Sequence, residues 1–568
     1  MIYQTALGPE SVYSEKPYFL ELSFGSVVGG SSFCALVGRR SSLDAMSEKV
    51  LPLPNGFPWG LCTAEDTDPR TAPNTGITRH YDFVVSRGEA SPDGYLKEVI
   101  LVNGEFPGPT IEANWGDWIE VRVSNEITGP EEGTSFHWHG FFQRQTQWYD
   151  GVPSVTQCPI APSSWFTYRF RADVYGTSWY HAHYSAQYSA GVTGPIVIYG
   201  PQHVQYDEDL GPIMLQDWFH LDYNTVVEYV MSNITELQDQ LSDNTLINGR
   251  MPYNCALVTD GTPCDPQAPY SKFRVTPGKT YKLRLINSGA GGLQYFSIDG
   301  HNLTIVANDF NDIQPYNVSS VILGVGQRSD VLFTPIGNPT DAIWMRTTQD
   351  GPFCARTLQP EGKAIILYNE APEDSIPVTA AVPLPIGDTT CTNDPLDLTI
   401  PYFPTTPPEP SITYNITINE ITNATGHKEF TMNGSPFHAN YNNPILLLAS
   451  EKNYSYPYDP QWNVINLGTN TSVRINVWNN DSSPHWDGTI INPENPQRRD
   501  TQMLSPNGHI VFQYNLDNPG VWLLHCHIAW HLSAGLSVSL MERPQEITEF
   551  EIPDFVQACN IYSAYSVA

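Results

Sequence analysis

Seven of the chain's fifteen histidines fall in three short clusters: His137-Trp138-His139, His181-Ala182-His183, and His525-Cys526-His527 followed by His531. Side chains alternate faces along a β-strand, so residues i and i+2 project to one side. Each His-x-His pair can therefore present two imidazoles together, and three such pairs can surround one shared cluster of metal ions. In the third pair the residue facing away is Cys526, a soft ligand, with His531 five positions on. A Cys with two His and a weak axial neighbour is the trigonal blue-copper set. Zinc also takes Cys and His, but a zinc site uses about four ligands and would leave most of these idle. The expectation is copper. The ion on Cys526 is then joined through the chain to two ligands of the histidine-held cluster.

Strands must hold such pairs, and the sequence supplies them. From Tyr81 onward, short alternating or β-branched runs are separated by turn clusters: Asp82 to Ser86, Glu98 to Asn103, Trp118 to Asn125, Phe166 to Phe170 and Pro195 to Tyr199. A second set begins near Gly211 and includes Lys279 to Asn287, Phe296 to Ala307 and Ser329 to Pro335, ending with Ala364 to Asn369. A stretch rich in Pro, Thr and acidic residues follows, as a linker should be. A third β set runs from Ile412 to about Glu542. Such spacing argues for consecutive β-sandwiches. The expected division is 1–55 as a leader or mistaken start, 56–202, 203–370, a linker over 371–410, and 411–568.

Composition narrows the partners. The 568 residues carry 28 basic and 60 acidic side chains, a net charge of −32 that disfavours nucleic acid and anionic lipid. With 40% hydrophobic and 12% aromatic residues the chain can bury large cores. No apolar run approaches the ~20 residues of a membrane helix, and Pro444 to Ala449 is only of strand length. Nine cysteines and nine Asn-x-Ser/Thr sequences (Asn233, Asn302, Asn317, Asn415, Asn423, Asn433, Asn453, Asn470, Asn480) point to an oxidising, glycosylating compartment. The N-terminus lacks a basic segment, and Phe19 to Gly38 is too interrupted by Gly and Ser for a signal core.

Beyond the ligand clusters stand Val102-Asn103-Gly104-Glu105-Phe106-Pro107-Gly108-Pro109, Asn114-Trp115-Gly116-Asp117, Trp148-Tyr149-Asp150-Gly151 and Asp517-Asn518-Pro519-Gly520. With these motifs the sequence resembles the multicopper oxidases, most closely laccases of filamentous fungi, over about residues 56 to 562. The resemblance implies an all-β fold of three consecutive cupredoxin-like Greek-key sandwiches. It implies four copper ions: a type 1 copper that takes electrons from the substrate, and a type 2 copper with a type 3 pair that reduces O2 to water.

Carried over residue by residue, Cys526 and His531 resemble type 1 ligands, with Leu536 in the axial place. A Leu cannot coordinate, which favours a higher potential. His137 resembles a type 2 ligand; His139, His181, His183, His525 and His527 resemble type 3 ligands. Asp150 resembles the acid that relays protons to reduced oxygen, and Asp243 the pocket carboxylate that accepts a phenolic proton. The resemblance also implies disulfides Cys158–Cys559 and Cys354–Cys391. Cys255 and Cys264 are close enough in sequence to bridge, and Cys34 and Cys62 remain unassigned.

The chain departs from the family in its third domain, where a His-Pro-x-His-Leu-His-Gly-His run is expected. Here it reads Asn480-Asp481-Ser482-Ser483-Pro484-His485-Trp486-Asp487-Gly488, and Asn495-Pro496-Gln497-Arg498-Arg499-Asp500 resumes the pattern. By comparison with the family, a hairpin-sized stretch is missing after His485, which still matches the second type 1 imidazole. The type 2 copper then keeps one protein His and the type 3 pair lacks one of its six; neither His509 nor His438 replaces them by spacing. Neighbouring strands are expected to be left unpaired. Either the gene prediction is faulty or the oxygen-reducing site is impaired.

The leading expectation is a secreted, monomeric laccase-like oxidase acting on small phenols or aromatics with O2, with no nucleic-acid or membrane partner. Within the family the runner-up is a metal-ion oxidase, which needs extra acidic residues near His485 or His531. Outside enzymes, the rival is a copper-binding protein with impaired or absent oxidase activity.

Overall fold

The computed structural model describes residues 2–7, 18–22, 64–66, 71–234, 237, 240–349, 354, 357–384, 391–453, 459–480, 488–547 and 553–566. The strands assemble into six sheets, paired as three two-layer sandwiches. In the first, Lys97–Val102, Thr78–Ala90, Trp118–Asn125 and Ser164–Arg171 form one sheet; Ile111–Asn114, Thr193–Tyr199, Gly176–Ala182 and Phe136–Trp138 form the other. Trp118–Asn125 illustrates the period of two: Ile119, Val121 and Val123 turn inward while the residues between them are half-buried or exposed. The second sandwich pairs six-stranded and five-stranded sheets over a core of its own that includes Leu283, Phe296 and Val331. The run Phe296 to Ala307 is not one strand. It divides into Gln294–Ile298 and Leu303–Asn308, because Gly300 takes a left-handed turn at φ 72°. The strand-length apolar run from Pro444 instead forms the helix Ile445–Ser450.

The third sandwich departs from expectation. Among the described residues the strands beside the gap after His485 find partners, because residues set aside as a leader or mistaken start enter the sheets. Ile2–Leu7 pairs antiparallel with His509–Asn515 and with Arg498–Arg499. Tyr18–Leu22 lies between Thr501–Leu504 and Gly520–Cys526, with Leu20 opposite Cys526 and Glu21 opposite His525. The physical reason is edge satisfaction: strands flanking a gap present unpaired N–H and C=O groups, and a mostly apolar segment such as Tyr18–Leu22 can fill it. His485 itself lies outside the described residues, as do Cys34 and Cys62. The first and third sandwiches share one continuous core that runs from Leu20 through Trp179 to Cys526.

Among the described residues three disulfides form: Cys158–Cys559, Cys255–Cys264 and Cys354–Cys391. The first spans 401 residues and ties the first sandwich to the C-terminal helix Pro553–Ser566. Replacing Cys158 and Cys559 together by Ala is expected to lower unfolding free energy by about 2–5 kcal/mol, measured by denaturant titration without reductant. The linker region packs against its neighbours: Asn393 bonds Gln327 and Gln502, and Tyr402 donates its N–H to Asp312. No helix among the described residues is long and apolar enough to cross a membrane.

Buried ion pairs set an acid limit on stability. Asp330 meets Lys282 at 2.7 Å and Arg284 at 3.4 Å, while Arg499 clamps Asp309 through two bonds of 3.1 Å. Burial pushes both carboxyls up, but these cations outweigh it and hold them below the ordinary range. A free Asp titrates near ~3.9, so the pairs stabilise fully above about pH 4 and lose that contribution as pH falls through the lower folded values. Thermal unfolding followed from pH 5 down to about pH 2 should show a steep loss, and Asp330→Asn should flatten it.

Candidate metal centre

The strands Phe136–Trp138 and Gly176–Ala182 pair with His137 opposite His181, so their imidazoles stand side by side with ring centres 5.4 Å apart. Gly520–Cys526 carries His525 in from the third sandwich, and His527 follows at its end. Across this junction His183 lies 5.3 Å from His525, and His527 lies 5.2 Å from His139 and 5.3 Å from His181. All six rings are buried. The structure thus brings His137, His139, His181, His183, His525 and His527 into one cluster between the first and third sandwiches.

Backbone carbonyls orient the rings. Nδ1 of His137 donates to the carbonyl of Asp150 at 2.7 Å, His181 to that of Ala182 at 3.0 Å, and His525 to that of Cys526 at 2.9 Å. A carbonyl only accepts, so each Nδ1 holds a proton and Nε2 is left for the cluster. Two glycines make room. A Cβ on Gly151 would fall 1.7 Å from the Phe136 carbonyl oxygen, and one on Gly326 would fall 2.6 Å from the His527 ring. His139 is held differently: Arg328 donates to its Nδ1 at 3.0 Å, and Asp500 grips the same guanidinium.

Two carboxylates complete the surroundings. Asp150 lies 3.4 Å from His137 Nδ1, and burial pushes its carboxyl up to about 6 against the pull of His137. Glu21 reaches four rings: Oε1 lies 3.1 Å from Nε2 of His137 and of His139, and Oε2 lies 3.2 Å from His525 and 3.3 Å from His527. Burial would raise the Glu21 carboxyl, but the imidazoles, His139 foremost, hold it well below the usual range. Burial disfavours charge on His137, yet Asp150 and Glu21 raise it to about 9. Burial and neighbouring imidazoles push His181 and His183 well below the ordinary histidine value, and burial takes His527 to about 3 despite Glu21.

The donors fit copper. Nε2 of His181 and His183, and both ring nitrogens of His527, are buried with no hydrogen-bond partner. Orphaned acceptors of this kind are costly unless a cation takes them up. Clusters of imidazole nitrogen with one oxygen donor suit Cu(II), and a thiolate with imidazole suits a blue-copper ion.

The second centre lies on the far side of the same strand. Cys526 Sγ stands 3.5 Å from His531 Nδ1, and the short helix Ala529–Ser533 carries His531. Leu536 is buried beside them, its carbonyl accepting from the Cys526 N–H and its own N–H bonding the His531 carbonyl. Phe430 packs on the His531 ring at 4.5 Å. Asp243 belongs to neither centre. It accepts from the His220 backbone N–H at 2.7 Å, and His220 Nε2 meets Asp93 at 2.9 Å. The link to the second centre runs through Phe219, which packs on Trp530, the neighbour of His531.

Sequence reasoning missed Glu21, which lay in the segment set aside, and Arg328. It also missed Asp217, whose carboxylate accepts the N–H groups of Ala290, Gly291 and Gly292 behind the His531 helix. For Glu21 the available signal was a single acid inside the apolar run Tyr18–Leu22.

Models of multicopper oxidase domains match residues 84–203, 209–371 and 405–546. An oxidoreductase OpS5 of Beauveria bassiana is 36% identical, the match covering 96% of this chain and 95% of that protein. Laccase-2 of Botryotinia fuckeliana is 33% identical over 89% of this chain and 90% of its own. The crystal structure of the laccase from Botrytis aclada superposes with TM-score 0.81 at 31% identity, covering 89% of this chain and 96% of that one.

Proposed function

The chain belongs to the multicopper oxidase family, and from that membership we propose a secreted, monomeric laccase-type enzyme that oxidises small phenols or related aromatics one electron at a time and reduces O2 to water. The observation that carries this is the placement of Cys526. The residue on either side of its thiolate is an imidazole of the buried cluster, so the backbone of three consecutive residues joins the two centres.

Cys526 and His531, with His485 as the ligand expected from the sequence, would hold a copper that accepts single electrons, and the six clustered histidines would hold copper that supplies four-electron reduction of O2. The protein's own groups do the rest. Leu536, buried beside Cys526 and His531, presents hydrocarbon that cannot coordinate, which would favour a higher potential for a copper held there. Asp150, raised to about 6 by burial, holds a proton beside His137 at mildly acidic pH and can deliver it to reduced oxygen. Asp243, held by His220, is the acceptor for the phenolic proton. The buried walls around the cluster exclude bulk water from it. A copper carrier without oxidase activity is not favoured, because the likeness to laccases runs through all three domains.

The test is oxygen uptake by purified, copper-loaded protein with a simple phenol. One O2 consumed for every four single-electron oxidations is expected. Blue protein that consumes no oxygen overturns the proposal in favour of a copper carrier.

A further inference from the structure

The strand Tyr18–Leu22 does more than close a sheet. Glu21 stands directly opposite His525 in the antiparallel register, which puts both side chains on one face, while Leu20 opposite Cys526 turns into the core. The carboxylate is 1% exposed and lies within 3.3 Å of four imidazole nitrogens. Glu21 forms one compact donor triad with His137 and His181 and another with His139 and His527, the ligand atoms of each lying within 4.8 Å of one another.

We propose that Glu21 is a copper ligand of the clustered centre, an oxygen donor delivered by the N-terminal segment where the third domain lacks histidines of its own. This rests on the copper-oxidase function proposed above. Glu21 Oε2 and His527 Nε2 are 3.3 Å apart and neither makes a hydrogen bond. Nδ1 of His525 is committed to the Cys526 carbonyl, so Nε2 is the nitrogen aimed at Oε2, 3.2 Å away. A buried carboxylate oxygen and imidazole nitrogens that converge this closely form a ready donor set, and a shared cation gives the unpartnered atoms among them a partner. Mixed nitrogen and oxygen donors suit Cu(II), and the carboxylate adds a negative charge to a donor set of neutral imidazoles. The same segment that completes the sheet thereby completes the metal site.

The experiment compares the full chain with Glu21→Gln and Glu21→Ala after copper loading, reading copper per chain, chelator competition, the blue absorbance of the Cys526 site, and the EPR signal of the cluster. Both variants should keep the blue band while cluster copper affinity falls on the order of 100-fold or more, since loss of even an outer-shell partner costs 10–100-fold. Should Glu21→Ala fail to accumulate, Glu21→Gln preserves shape and strand pairing, and its blue band reports folding. Wild-type copper content, affinity and EPR in the variants overturn the assignment. More cluster copper in the variants than in the wild type also overturns it, making the strand a plug instead. Wild-type protein with a blue band and no cluster copper overturns the ligand role alone; wild-type protein that binds no copper at all overturns the family reading of both centres.

Discussion

Cys526→Ser is expected to abolish the blue colour and to reduce phenol oxidation at least ~1000-fold, equivalent to about 4 kcal/mol of barrier. A serine hydroxyl stays protonated where a thiolate would form, and it is too hard a donor to hold copper with His531. The rest of the molecule has little reason to change: the side chains are nearly isosteric, and the Cys526 N–H keeps its bond to the Leu536 carbonyl. His525 and His527 remain, so copper per chain should fall by the one blue ion while the cluster EPR persists. Parallel measurement of copper content, absorbance and oxygen uptake checks this. Retained turnover in the variant would mean that electrons enter by a route other than Cys526.

The second large effect is on stability. Arg328 is fully buried on the second sandwich and joins all three. It grips Asp500 of the third with two bonds of 2.6 and 2.7 Å, donates to the Thr177 carbonyl and His139 ring of the first, and faces Asp309 at 3.5 Å. Arg328→Met should cost about 3–5 kcal/mol, because it leaves the partly buried Asp500 and part of the buried Asp309 charge without their partner. Arg328→Lys should recover little, since an ammonium cannot reproduce the forked pair and still reach His139. Denaturant unfolding gives the stability term. Chelator competition gives a second readout: His139 without its partner should hold copper about 10–100-fold less tightly. Unchanged unfolding free energy in Arg328→Met would show that the junction is held by apolar packing alone.

What could be read from the sequence was what repeats locally. His-x-His pairs declare themselves because a strand's period of two is short, and Cys526 is visible because it sits inside one. Trp118–Asn125 alternates so cleanly that its strand ends where its pattern ends. The hidden parts depend on distant partners. Glu21 is a single acid in an apolar pentapeptide, and only pairing with Gly520–Cys526 gives it neighbours. Arg328 draws its meaning from Thr177 and Asp500, which no spacing rule connects to it. The split of Phe296 to Ala307 was masked because its apolar residues continue on both sides of the Gly300 turn.

Tyr18–Leu22 leaves the ribosome far ahead of the two strands that flank it, Thr501–Leu504 and Gly520–Cys526. While about 500 further residues are made this apolar segment must wait without its partners, a separation that makes closure slow and aggregation competitive. Folding therefore cannot finish in the order of synthesis: the third sandwich closes only after this early segment has returned to it. A chaperone that holds the Tyr18–Leu22 segment should then govern yield far more strongly than the same intervention at the first or second sandwich.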